Sequence, residues 1–235
     1  MIEMLLLFVL MLLAVLARWL VYGAFEPMQF TLIFLLPAAA LAVYIISRKL
    51  AEKEWTYQPK NIHGWSYYNI QKTLLIRKPL FKGDELRGYV RRYFPHKWQY
   101  AFGDIIGFNW YLCLEIQIGQ DLYDVRWHRK KWLTSQEHWS IFKNGERIGE
   151  ARTLINMKNT ASLKEAIQYT INDDTYLSSA ATISSAISLT REGEQCGTLK
   201  RHHLLSSVFV IAPHEGSSPE AIVALILHSY FFKNK

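Results

Sequence analysis

The sequence predicts a mainly β fold: a closed antiparallel β-barrel around a central hydrophobic C-terminal α-helix, preceded by an N-terminal two-helix transmembrane hairpin. Three observations predict it. Two apolar runs of membrane length open the 235-residue chain. Its middle is a succession of short apolar stretches rich in Tyr, Trp, Phe, Ile and Val, with no helix-length run between them. Its last stretch, PEAIVALILHSYFF from Pro219 to Phe232, is apolar on nearly every side. That helix spans about 21 Å, too short for a hydrocarbon core of about 30 Å, so it needs a shell of protein, and the preceding strands can supply one.

The first apolar run extends from Met4 to about Phe25 and the second from about Met28 to Ile46, with Glu26 and Pro27 in the turn between them. No Lys or Arg precedes the first run, only Glu3, so it lacks the charged start of a signal peptide and is expected to stay as a span. Arg48, Lys49 and Lys53 follow the second run while the connecting turn has no basic residue. By the positive-inside rule the chain is a multi-pass protein of the cell membrane with its large domain in the cytoplasm. Arg18 lies within the first run near its end, where it can snorkel to the interface beside Trp19 and Tyr22. Pro37 interrupts the second run and is expected to kink it. The resulting division is residues 1–47 as the hairpin, 48–63 as a juxtamembrane helix end and linker, and 64–235 as the barrel. Two cysteines, Cys113 and Cys196, make no disulfide framework and read as free thiols.

Within the barrel the expected strands include WSYYNI (65–70), KTLLIRK (72–78), LRGYVRRYF (86–94), WQYAF (98–102), FNWYLCLEIQI (108–118), LYDVRW (122–127) and WSIFK (139–143). In SLKEAIQYTI (162–171), Ser162 and Glu165 form a capping box, which predicts a short helical turn or loop before a strand. A repeat follows. Lys143–Gly149 reads KNGERIG and Arg191–Gly197 reads REGEQCG, both "basic, x, Gly, Glu, x, x, Gly". Asn144–Gly145 is a strong hairpin turn and Glu192–Gly193 a weaker one, while Gly149 and Gly197 fall in the returning strands as marks of a bulge or a close approach of the helix.

These hairpins, the strand-rich body and the terminal helix together resemble the tubby C-terminal-like superfamily, which includes tubby proteins, plant LURP-one-related proteins and phospholipid scramblases. The likeness covers roughly 65–232 and is architectural. It implies a barrel threaded by a hydrophobic helix and a role at membranes, closest in kind to small bacterial membrane-anchored members. The specific basic pocket of the tubby proteins has no matching stretch here.

Charge points the same way. Residues 48–131 hold 16 Lys and Arg against 8 Asp and Glu, whereas residues 132–235 hold 10 of each, so the net charge of +7 is carried by the membrane-proximal part. Basic residues interleaved with Tyr, Phe and Trp suit a bilayer surface. The candidate lipid-binding residues are Arg77, Lys78, Lys82, Arg91, Arg92, Lys97, Arg129, Lys130 and Lys131. A basic surface without specific contacts and a nucleic-acid surface share the electrostatics, but a tethered domain meets lipid first. His202 and His203, adjacent on a strand, would face opposite sides and share no ion. No zinc spacing, P-loop, dinucleotide motif or nucleophile elbow appears, so no metal, cofactor or catalytic residue is expected. The expected function is non-enzymatic engagement of anionic phospholipid or a membrane-bound partner; a sensory or protein-interaction module and a scramblase-like activity are the alternatives.

Overall fold

A computed structural model describes residues 2–232 except 24, 71–74, 101–112, 130–135, 155–163, 182–185, 204–205 and 215. It begins with α1 (Ile2–Tyr22), α2 (Pro27–Ile33) and α3 (Leu35–Trp55), which pack on one another. α1 from Met4, and the stretch Pro27–Trp55 that holds α2 and α3, are long and apolar enough to cross a membrane. Arg18 is tied to the turn between them: its guanidinium donates to Glu26 Oε1 at 2.5 Å and to Gln29 Oε1 at 3.1 Å. The break between α2 and α3 falls at Phe34. Pro37 has no N–H to offer the carbonyl of Ile33, four residues earlier, so the discontinuity appears there rather than at the proline itself. α3 then runs unbroken past the apolar run to Trp55, so the first half of the expected 48–63 connection is helix.

Twelve strands follow: β1 (Trp65–Tyr68), β2 (Lys78–Lys82), β3 (Glu85–Tyr93), β4 (Cys113–Ile118), β5 (Asp121–His128), β6 (His138–Lys143), β7 (Glu146–Thr153), β8 (Lys164–Ile171), β9 (Asp174–Ala181), β10 (Ile187–Arg191), β11 (Glu194–Arg201) and β12 (Val208–Pro213). Each pairs antiparallel with the next, and β1 pairs with β12, so the sheet closes into a barrel with no free edge. The C-terminal helix α4 (Pro219–Phe232) fills it, with every side chain from Ala221 to Phe231 buried. Alternate strand residues such as Leu114, Ile116 and Ile118 face this helix.

Polar groups on the helix are matched to the wall. Tyr67 and Ser229 share a 2.6 Å hydrogen bond, Ser178 Oγ lies 2.5 Å from His228 Nδ1, and the Tyr169 hydroxyl donates to the Ala224 carbonyl at 2.8 Å. β9 faces α4 through Tyr176, Ser178 and Ala180, and β10 through Ile187 and Leu189. Burial pushes the His228 imidazole down to about 3, so it is neutral.

Three expected elements differ. KTLLIRK gives strand only from Lys78, because Leu75 adopts φ +67°, a left-handed conformation that no ladder accommodates. WQYAF is not a strand where it is described: residues 97–100 form a helical turn in which Gln99 Oε1 accepts from the His96 N–H at 3.0 Å. The capping box at Ser162 starts no helix in its described part, since Lys164 and Glu165 already pair with β9. Ser162 itself lies outside the described residues; at Lys164 and Glu165 tertiary pairing overrides the local signal.

The repeat is real and has a third copy. KGDELRG (82–88) occupies the β2–β3 hairpin as KNGERIG does β6–β7 and REGEQCG does β10–β11. Each carries one bulge at the same place: Arg87, Ile148 and Cys196 are skipped in the pairing, and the following glycine faces Leu80, Ile141 or Leu189. The skipped residue's carbonyl then accepts from the backbone N–H of Gly119 (2.7 Å), Asn172 (2.7 Å) or His214 (3.0 Å) on the neighbouring segment. A Cβ on Gly88 would lie 1.8 Å from the Gln117 carbonyl oxygen and one on Gly149 2.2 Å from that of Thr170, so only glycine fits. Asn144, Gly145, Glu192 and Gly193 all have positive φ, the turn geometry their sequence predicts.

Candidate functional site

The barrel has two unlike ends. Five two-residue turns, at 83–84, 119–120, 144–145, 172–173 and 192–193, crowd one end, where α4 begins. The other end receives the long connections 69–77, 94–112, 129–137, 154–163, 182–186 and 202–207, together with the C-terminal half of α4.

α3 reaches this loop end and is fastened to it by Glu54. Its carboxylate accepts from Lys78 Nζ at 3.1 Å and from the Ile70 N–H at 2.7 Å, and Lys78 also donates to Asn69 Oδ1 at 2.5 Å. Glu54, Lys78 and Asn69 are all buried, and Lys78 lies 5.6 Å from the Tyr230 ring centroid on α4. The spanning-length α3, the barrel wall and the central helix therefore meet at one polar knot. Burial pushes the Lys78 ammonium down to about 8, with Glu54 pulling the other way.

The nine basic candidates do not form one patch. Lys78 is 1% exposed and committed to Glu54, so it presents no charge to a lipid surface and drops out of the set. Lys82 is exposed but sits at the turn end, four strand residues or about 13 Å from Lys78, near the Trp65 ring. Arg91 points outward and pairs with Glu115, which also accepts from the Tyr89 hydroxyl at 2.7 Å. Beside them Tyr93 donates to Asp124 at 2.5 Å and Arg126 to the same carboxylate at 2.7 Å, so the middle of this wall is charge-balanced. Arg77, Arg92, Lys97 and Arg129 belong to the loop end; Arg77 and Lys97 are exposed, and Arg92 is half-buried with its guanidinium over the Phe94 ring at 5.4 Å. Lys130 and Lys131 lie outside the described residues.

Sequence reasoning missed the residues of α3. Arg48, Ala51, Glu52 and Trp55 recur at i, i+3, i+4 and i+7 and form one helix face. That face and the segment Leu75–Arg77 line an open cavity of about 550 Å³. Trp55 and Leu75 are 68% and 54% exposed, a large apolar exposure beside a helix that is apolar enough to span a bilayer. The face was legible as periodicity, but treating the stretch as a connection concealed it.

A second cavity, about 600 Å³, lies at the turn end and includes Arg191, Glu192, Glu194, Cys196, His214 and Ser217. Arg191 is already paired with Asp174 at 2.7 Å there. Burial raises both thiols, that of Cys113 to about 11, so neither is a ready nucleophile, and both cysteines are free. His202 and His203 were expected on opposite faces of a strand; they follow β11 in a bend, their ring centroids 4.0 Å apart. Among the described residues no three His, Cys, Asp or Glu side chains are grouped to hold a metal ion.

The arrangement suits binding of anions and amphiphiles at the loop end. Compared with known proteins, the chain matches no family model, no curated protein and no solved structure.

Proposed function

We propose that the protein is a non-enzymatic, membrane-anchored barrel of the tubby-like type, whose loop end engages anionic phospholipid headgroups. Two spans hold it in the cell membrane, and the basic flank Arg48, Lys49 and Lys53 sets the barrel in the cytoplasm. The observation that carries this reading is where α3 docks. Glu54 fastens the helix to the end of the barrel that bears Arg77, Arg92, Lys97 and Arg129. A cation held close to an anionic leaflet is worth about 1 kcal/mol, and a fixed anchor keeps all four within that range. The paired Arg91 and Arg126 in the wall contribute little to such a field.

The reading is tested on the full chain purified in neutral detergent and offered equal amounts of phosphatidylglycerol and phosphatidylcholine. Preferential retention of phosphatidylglycerol is expected, weakening as salt rises and lost in Lys97→Glu with Arg129→Glu. Equal retention of the two lipids at low salt would overturn it.

A further inference from the structure

The cavity between α3 and Leu75–Arg77 has its own chemistry, different from a general basic surface. Arg48 lies two residues beyond Ile46, where the apolar run ends, so its guanidinium stands at headgroup level once α3 crosses a bilayer. Glu52 lies one helical turn farther from the membrane, about 6 Å along the axis, and Trp55 a turn beyond Arg48's neighbour Ala51. Arg77 enters from the opposite wall, held with its guanidinium 4.7 Å from the Tyr89 ring centroid. Among the described residues neither Arg48 nor Glu52 has an ion-pair partner, although they stand at i and i+4 on one face. Leu75, which lines the cavity, keeps φ +67° with its N–H bonded to the Arg92 carbonyl at 2.8 Å. Such a conformation costs a leucine about 1–3 kcal/mol and is found where a site needs a wall in a set place.

We propose that this cavity binds one amine-bearing glycerophospholipid, of the phosphatidylethanolamine type. The phosphodiester lies between Arg48 and Arg77, and the primary ammonium reaches Glu52 and the face of Trp55. The order of charges along α3 matches the lipid: Arg48 nearest the hydrocarbon where the phosphate sits, and Glu52 with Trp55 farther outward where the amine sits. The position of the charges discriminates as well: Glu52 attracts the ammonium of a zwitterion and repels a second negative charge placed there. A quaternary choline offers Glu52 no N–H, so the site prefers the primary amine. The proposal rests on the membrane placement of α3 given above, but not on the anionic-lipid preference of the loop end.

The test uses the full chain in neutral detergent, with native mass spectrometry of the complexes formed with phosphatidylethanolamine, phosphatidylcholine and phosphatidylglycerol at equal concentration. One phosphatidylethanolamine per chain is expected, bound roughly tenfold more tightly than phosphatidylcholine. Glu52→Gln, a nearly isosteric change, should bring the two to parity without weakening phosphatidylglycerol retention. Ala51→Trp, which fills the cavity and keeps every charge, should abolish the complex without shifting the melting temperature of the barrel. Equal binding of the ethanolamine and choline lipids by the wild type would overturn the lipid class. A preference that survives both Glu52→Gln and Ala51→Trp would overturn the site. Displacement of the lipid by an equal concentration of free phosphoethanolamine would show that the ligand is a soluble phosphate ester and overturn the membrane source. Loss of the phosphatidylglycerol preference alone would refute the anionic-lipid reading and leave this one standing.

Discussion

The two ends of the barrel are built on different principles. At the turn end three hairpins repeat one device, a two-residue turn, a bulge and a glycine, and each bulged carbonyl is capped by the adjoining segment. At the loop end nothing repeats: α3 enters, a buried ion pair receives it, and exposed basic and aromatic side chains surround the junction. Regular backbone makes one end a closure. Individual side chains make the other the end that can carry a binding site.

The largest expected effect would break the regular end. Gly88→Ala places a methyl group 1.8 Å from the Gln117 carbonyl oxygen, on a rigid ladder that has no flexible side chain to yield. β3 must separate from β4 or lose its bulge, at a cost on the order of 5 kcal/mol. Urea denaturation of the detergent-solubilised chain, followed by the fluorescence of its tryptophans, measures it. A loss below about 1 kcal/mol would mean that the bulge relaxes freely and that glycine is there by composition alone. Gly197 sharpens the point, because its nearest obstacle is the side-chain Cδ1 of Leu225 at 3.3 Å rather than a backbone carbonyl.

Next in size is the tie at the loop end. Glu54→Ala leaves Lys78 buried without its carboxylate, and about 3 kcal/mol should be lost. The loss is bounded because Lys78, already held down to about 8, can release its proton. Replacing both partners, Glu54→Leu with Lys78→Met, should return stability to within about 1 kcal/mol of the parent, since the desolvation of both charges disappears with their attraction. Thermal melts of the single and double variants decide the matter. If the double variant is as unstable as Glu54→Ala, the knot is held by packing around α3, and the ion pair is incidental to it.

This difference between the ends also governs what was legible in the sequence. Asn144–Gly145, Glu192–Gly193 and the all-round apolarity of 219–232 are local signals with one structural solution, and they led to the barrel and its central helix. The third hairpin was overlooked because its turn is Gly83–Asp84 rather than x-Gly, although Gly88 keeps the same offset. At the loop end, partners come from segments far apart in the chain. Lys78 looks like any surface cation beside Arg77 until Glu54, 24 residues earlier, is brought against it. Likewise, nothing local says that Arg91 is balanced by Glu115, 24 residues later on the neighbouring strand. Charge counts mark the stretch 48–131 as basic, but the pairing that decides which of its charges are balanced is a tertiary fact.

The smallest predicted effect concerns His228, which lies in the half of α4 nearer the loop end and bonds to Ser178. Burial holds its pKa at about 3, below the ordinary value of 6.5, so the folded chain keeps it neutral where the unfolded chain takes up a proton. Between these values the unfolded state binds more protons, and stability must fall as pH falls. The stabilisation is complete above pH 6.5 and erodes below it, by roughly 1.4 kcal/mol at pH 5.5 compared with neutral pH. His228→Gln can still hydrogen-bond Ser178 but cannot titrate, so its stability should change less over the same interval by that amount. Parallel pH curves for the two proteins would mean that the imidazole is reached by water from the loop end. In that case the loop end would be open to solvent along α4 in a way that the tightly turned end is not.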